Sequence, residues 1–220
     1  MKPYFERDGI VIYHGDSREV LPSLDLSAVD LVLTDPPYGM AYRHGTRKGG
    51  KKYGNDGVTI FGDDAPFDPS PILAIPARKV IWGGNHFADR LPASRGWMVW
   101  DKRGGKGSND QSDCELAWTD FLTVARVFTR VWRGGQRDGR EQAEGRLHIN
   151  QKPVALLSWC IRWSDTSGAV LDPYMGSGSA LVAARENERR AIGIEIEERY
   201  CEIAARRLDQ LTLFGSEAAS

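Results

Sequence analysis

Apolar positions along the chain follow two alternating rhythms. Short runs rich in β-branched and aromatic residues occur at Ile10–Tyr13, Asp30–Leu33, Lys79–Trp82, Trp97–Trp100, Glu115–Trp118, Val124–Trp132, Ala169–Leu171 and Ala191–Ile194. Each predicts a strand. Ser179–Glu188 and Glu197–Leu211 instead keep their apolar residues on one face at helical spacing. Ser17–Leu21, Pro71–Ala77 and Val154–Trp163 are shorter or weaker helical candidates. Strands and helices in alternation, with near-continuous apolar strands, predict an α/β fold whose mostly parallel sheet carries helices on both faces. In such sheets ligands bind beyond the carboxyl ends of the strands.

Three polar stretches interrupt the pattern. Residues 39–68 form a long glycine- and charge-rich loop, and Arg103–Asp113 and Gly134–Gly145 are also glycine-rich. There is no internal repeat and no domain linker, so the 220 residues are expected to form a single domain.

Composition narrows the setting but not the chemistry. Apolar content of 41% and charged content of 27% are those of a soluble globular protein. No run is long enough for a membrane span, and Met1–Tyr13 has no signal-peptide core, which predicts a cytoplasmic protein without a membrane partner. Cys114, Cys160 and Cys201 are scattered and form no C-x-x-C pair, so reduced thiols are expected rather than disulfides or a metal site. The net charge of −1 excludes a uniformly basic nucleic-acid coat, yet "RHGTRKGGKK" at 43–52 leaves room for a local basic face.

The strongest local signal is "AVLDPYMGSGSALVAARENERRAIGIEI", residues 169–196. A strand ends in Asp172, a Gly176-Ser177-Gly178 turn opens a helix, and a second strand ends on Glu195. Glycines let a backbone approach a ligand, and an acid about 20 residues on can hold ribose hydroxyls. Leu181 stands where a dinucleotide fingerprint has its third glycine, so another adenosine-containing ligand fits better than a pyrophosphate dinucleotide.

With these motifs in this order, the chain resembles the DNA amino-methyltransferases, which use S-adenosylmethionine to methylate adenine N6 or cytosine N4. The order is that of their β group, with D-P-P-Y ("LVLTDPPYGM", 31–40) before the glycine motif. The likeness runs from "VIYHGDSREVLPSL" through "KVIWGGNHFADRLP", "GWMVWDK", "CELAWTD" and "QKPVALLSWCI" to the closing block. It implies a Rossmann-like, seven-stranded-type sheet in circularly permuted order. The glycine-turn strand would lie between the D-P-P-Y strand and the Glu195 strand, with Ile10–Tyr13 beyond the latter.

The resemblance also implies roles. Asp172, Tyr174 and the Gly176-Ser177-Gly178 turn would lie against the methionine part of the cofactor, Glu195 would hold the ribose and Asp16 the adenine ring. Lys152 would sit near the methionine carboxylate, and the spent cofactor would leave as S-adenosylhomocysteine. Asp16 can equally cap the helix that follows it, Glu195 can be a solvent-facing strand end, and Lys152 a surface lysine before Pro153. An exocyclic amine is a poor nucleophile because its lone pair is delocalised. Asp35 and the Pro36 carbonyl would each accept one of its N–H groups, Pro37 would stiffen the turn, and Tyr38 would face a base flipped from the duplex. D-P-P-Y inclines toward adenine.

The expected partner is double-stranded DNA in a bacterial or phage-infected cell, serving restriction–modification or an orphan methylase. A second copy of the chain is a candidate partner in a homodimer. Tyr42, Arg43, Arg47, Lys48, Lys51 and Lys52, in a loop expected to be mobile, would meet DNA at the mouth of the site. Residues 103–150, with Arg133 among the candidates, would recognise the target. Trp82 and Trp100 read as buried. Gln210–Phe214, "QLTLF", resembles the peptide by which bacterial proteins dock on the replication sliding clamp, or is a helix end that folds back on the domain.

Overall fold

The computed structural model describes residues 1–40, 61–105, 112–133, 136–137 and 151–215, with backbone alone at 133, 136–137 and 211–215. Nine strands of the described residues make one sheet: β1 (Phe5–Arg7), β2 (Ile10–His14), β3 (Val29–Thr34), β4 (Arg78–Trp82), β5 (Trp97–Asp101), β6 (Cys114–Thr119), β7 (Arg126–Thr129), β10 (Ala169–Asp172) and β11 (Ala191–Glu195). Their spatial order is β1-β2-β11-β10-β3-β4-β6-β5-β7, and β8 (Trp132–Arg133) pairs with β9 (Gln136–Arg137) in a separate ribbon. The seven strands from β2 to β5 are the expected methyltransferase-type sheet, flanked by β1 and β7.

The central strands β2, β11, β10, β3 and β4 run parallel. Val170 pairs with Ala191 on one side and with Leu31 on the other. β10 and nearly all of β3 are buried, which is why both read as continuous apolar runs. β6 is antiparallel to both β4 and β5.

Among the described residues five helices flank the sheet: α1 (Ser17–Val20), α2 (Ser70–Leu73), α3 (Val154–Ser164), α4 (Ser179–Glu186) and α5 (Glu198–Gly215). Alternate side chains of one strand feed two cores. Leu31, Leu33 and Val170 join Leu156, Leu181 and Ala204 on one side, whereas Val32 and Leu171 join Val20, Ile72 and Phe87 on the other. Among the described residues, no helix is long and apolar enough to cross a membrane.

The chain leaves β10 toward β11 through α4, while β3 leads away to β4 on the opposite side. A crevice therefore opens at the carboxyl ends of β10 and β3, where the strand order reverses. Because these strands are parallel, Asp172, Glu195, Asp35 and Asp16 all reach the same edge.

The differences from the sequence pattern are local. The helix expected over 71–77 is one turn, since Pro76 restricts Ile75 and ends it. The strand expected over 124–132 follows β5 only as far as Asp101, whose carboxylate then turns the chain by accepting from the Arg103 and Gly104 amides. β6 and β7 lie inside 103–150, so part of that stretch belongs to the main sheet.

Candidate active site

A cavity of about 690 Å³ occupies the crevice, of the size that takes a small-molecule cofactor. Asp16, Asp35, Lys152, Asp172, Tyr174 and Glu195 are among the residues that line it. Three of these acids close parallel strands, and their proximity is a direct consequence of the register.

Asp35 is the hub of a charged chain. Its Oδ1 accepts from the Tyr38 hydroxyl at 2.5 Å, and its Oδ2 pairs with the Lys152 ammonium. Lys152 Nζ also meets Glu115 Oε2 at 3.1 Å, and Glu115 Oε1 accepts from Lys102 Nζ at 2.9 Å. The segment before α3, the turn after β3, the residue that follows β5 and strand β6 thus converge through Lys102–Glu115–Lys152–Asp35. Desolvation pushes the Asp35 carboxyl above its ordinary value, opposed by Lys152 and reinforced by Glu115. Burial alone would discharge Lys152, but Asp35 and Glu115 more than offset it and raise the ammonium well above its ordinary value. Glu115 is also desolvated, yet Lys152 and Lys102 hold it down at about 2.

The D-P-P-Y turn is fixed from outside itself. Buried Asp63 accepts, through Oδ1, the backbone N–H groups of Tyr38, Gly39 and Met40 at 3.1, 2.9 and 3.2 Å. The Tyr38 ring stacks on His86, with centroids 4.8 Å apart and planes 17° from parallel. Gly83 lies close to the same ring: a Cβ on it would come within 2.0 Å of Tyr38 Cε1, and its φ of +72° is itself a glycine conformation.

At the end of β10, Thr34 Oγ1 donates to Asp172 Oδ1 at 2.7 Å, and desolvation raises the Asp172 carboxyl to about 7. Glu195 accepts the Gly176 and Glu197 amides, both at 2.9 Å, and burial raises its carboxyl. Gly178, at φ +77°, serves helix packing as well as the turn, since a Cβ there would lie 2.7 Å from Ala204 Cβ of α5. The Ser177 carbonyl accepts from Arg207 at 2.8 Å, tying the turn to α5. Asp16 caps α1 by accepting the Arg18 amide at 2.9 Å, and it lines the cavity as well. The Tyr174 ring meets Phe67 edge-on at 5.7 Å between centroids.

A family profile described as DNA methylase matches residues 101–206. The type II methyltransferase M.HpaI of Haemophilus parainfluenzae is 43% identical over 87% of this chain and 71% of its own length. The chain belongs to the DNA N6/N4 methyltransferases. M.ScaI of Streptomyces caespitosus, also a type II methyltransferase, is 28% identical over 94% of this chain and 84% of its own. Two solved structures share the fold. The M1.HpyAVI–SAM complex has a TM-score of 0.57 at 21% identity, covering 90% of this chain and 98% of that one. The cytosine-N4-specific PvuII DNA methyltransferase has a TM-score of 0.62 at 16% identity, covering 93% and 88%.

In this methyltransferase the expected residues Asp16, Asp35, Pro36, Pro37, Lys152, Asp172, Tyr174, Gly176, Ser177 and Glu195 line the cavity, whereas Tyr38 and Gly178 lie outside its lining. Tyr42, Arg43, Arg47, Lys48, Lys51 and Lys52 lie outside the described residues, as does the side chain of Arg133. Trp82 and Trp100 are fully buried. Lys152 stands out because its ammonium is held by Asp35 and Glu115. Motif reading missed Glu115, Lys102, Asp63 and His86. Glu115, an acid inside an apolar strand, was the one detectable signal among them. Among the described residues, no group of three or more His, Cys, Asp or Glu is placed to hold a metal.

Proposed function

We propose that this methyltransferase transfers the methyl group of S-adenosylmethionine to the N6 amine of an adenine turned out of double-stranded DNA. The observation that carries the reading is Asp35, held by Tyr38 and Lys152 at the edge of the cofactor-sized cavity. The D-P-P-Y sequence favours adenine over cytosine N4, the amine that the PvuII neighbour methylates.

The cavity residues fit the cofactor by charge as well as size. Asp172 can face its cationic methionine end, Glu195 retains lone pairs beyond its two amide bonds for the ribose, and Asp16 and Tyr174 border space for the adenine ring. The bound cofactor supplies an electrophilic methyl group on a sulfonium. Among the described residues each Asp35 oxygen has one partner and keeps a second lone pair, so the carboxylate can accept an amine N–H without releasing Tyr38 or Lys152. The Pro36 carbonyl takes the second N–H. Together they pyramidalise the nitrogen and aim its lone pair, an effect of preplaced acceptors rather than of a strong base. Lys152 keeps Asp35 ionised, and the methylated ammonium is acidic enough to release its proton to water.

DNA contacts fall to residues 39–68 and to the parts of 103–150 outside the sheet, with phosphate pairing by the basic residues at 43–52 and salt-sensitive affinity as the consequence. The "QLTLF" segment at 210–214 is a proposed sliding-clamp peptide. Removing residues 210–220 should abolish clamp binding while short duplexes are still methylated, and unchanged clamp binding rejects it.

Incubation with labelled S-adenosylmethionine and mixed-sequence DNA, followed by nucleoside analysis, tests the central reading. N6-methyladenine is expected, and N4-methylcytosine alone would move the target to cytosine. Asp35→Ala should bind cofactor yet lose turnover.

A further inference from the structure

The Lys102–Glu115–Lys152–Asp35 chain alternates in sign and lies over buried indole rings. Lys152 Nζ is 5.9 Å from the Trp82 ring centroid, and Lys102 Nζ is 5.9 Å from that of Trp100. The Lys152 side chain is only 6% exposed, so its charge is borne by its two carboxylate partners rather than by water. An ammonium facing Asp35 alone would neutralise it. Here the ammonium is divided between Asp35 and Glu115, and Glu115 is itself steadied by Lys102.

We infer that Glu115 is a positioning residue for methyl transfer: by sharing Lys152 with Asp35 it lets the ammonium orient that carboxylate without cancelling its charge. This rests on the reading of Asp35 as the acceptor of the amine N–H. Glu115 acts through Lys152 and needs no contact with the base. β6 carries it there because β6 runs antiparallel between β4 and β5, with Glu115 in register with Trp100.

The charged and titratable groups around Asp35 are Tyr38 on its own turn, Lys152 before α3, Glu115 on β6 and Asp172 at the end of β10. Lys102 stands behind Glu115, and Glu195 beside Asp172. Each neighbour shifts Asp35 in a defined direction. With Glu115→Gln, Lys152 turns wholly to Asp35, the carboxylate becomes a weaker acceptor and its pKa falls. With Lys102→Met, Glu115 draws more strongly on Lys152, Asp35 is less neutralised and its pKa rises.

The test is the pH profile of kcat under saturating DNA and cofactor. Glu115→Gln should lower kcat about tenfold, leave both KM values unchanged, and move the acid limb down by about one pH unit. Lys102→Met should move the limb up, and Glu115→Asp should restore the wild-type position. Opposite shifts do not follow from a loosened fold. Cofactor binding confirms that each variant is folded, and Lys102→Met decides alone if Glu115→Gln is not. Limbs that stay put or move together overturn the role of Glu115. Retained turnover in Asp35→Ala overturns the underlying reading instead, so the two failures are distinct.

Discussion

Tyr38 and His86 stack with centroids 4.8 Å apart and planes 17° from parallel. The aromatic face proposed for a flipped base is therefore already covered by an imidazole, while Gly83 sits close against the same ring. His86 is exposed, on the segment after β4, so it can withdraw without disturbing the core.

On this geometry His86 competes with the base for Tyr38. His86→Ala should free the face and strengthen capture of the flipped nucleotide by about 1 kcal/mol, the scale of an aromatic pair. Fluorescence of 2-aminopurine at the target position should rise at lower enzyme concentration. Weaker capture would instead make His86 a second wall of the base pocket.

Asp63 supports the turn that Asp35 and Tyr38 share. One of its two carboxylate oxygens accepts from three consecutive amides, and hydrogen bonds to charged acceptors are the stronger kind. Asp63→Ala should lower unfolding stability by about 2 to 4 kcal/mol and reduce kcat more than cofactor affinity, measured by denaturant melts and by cofactor titration. Equal losses in both would mean that Asp63 supports the whole edge rather than this turn.

What was readable from the chain was what local pattern controls. The buried parallel strands appear as apolar runs, and the strand-ending acids Asp35, Asp172 and Glu195 sit at fixed offsets from them. The β1–β2 hairpin was missed because Phe5–Arg7 is short and two of its three residues are charged, although Asp8-Gly9, both at positive φ, is a hairpin turn pair. The pairings of Glu115, Lys102 and Asp63 were hidden for a different reason. Their partners are chosen by antiparallel register and by a loop returning over the site, and neither leaves a periodic trace. Lys152 was expected at the site and does line the cavity, but its pairing with Asp35 and Glu115 could not be read from the chain.

Gly83→Ala tests the packing beneath Tyr38 independently of His86. The substitution places a Cβ within 2.0 Å of the ring and imposes a residue disfavoured at φ +72°. The ring must move, breaking its 2.5 Å bond to Asp35. Turnover should fall at least tenfold, about 1.4 kcal/mol or more, with cofactor binding preserved because Gly83 lies outside the cofactor cavity. Normal turnover would show that Tyr38 has no fixed position to keep.

Asp172 is expected to make cofactor binding pH-dependent. Its folded value of about 7 lies above its ordinary 3.8, because desolvation penalises the charged form. The stability this group contributes is thus fully present below about pH 4 and is lost as pH rises through about 7. The free protein should melt at a lower temperature at pH 8 than at pH 5 by more than Asp172→Asn does. A cationic ligand reverses the preference by favouring the carboxylate, so binding S-adenosylmethionine at pH 6 should release a proton that binding at pH 9 does not. Calorimetry in buffers of different ionisation enthalpy measures that proton directly. The release should vanish in Asp172→Asn, where Thr34 still has an oxygen to donate to. An equal release in wild type and variant would assign the proton to Glu195, which burial also raises, and would remove Asp172 from the cofactor's charge balance.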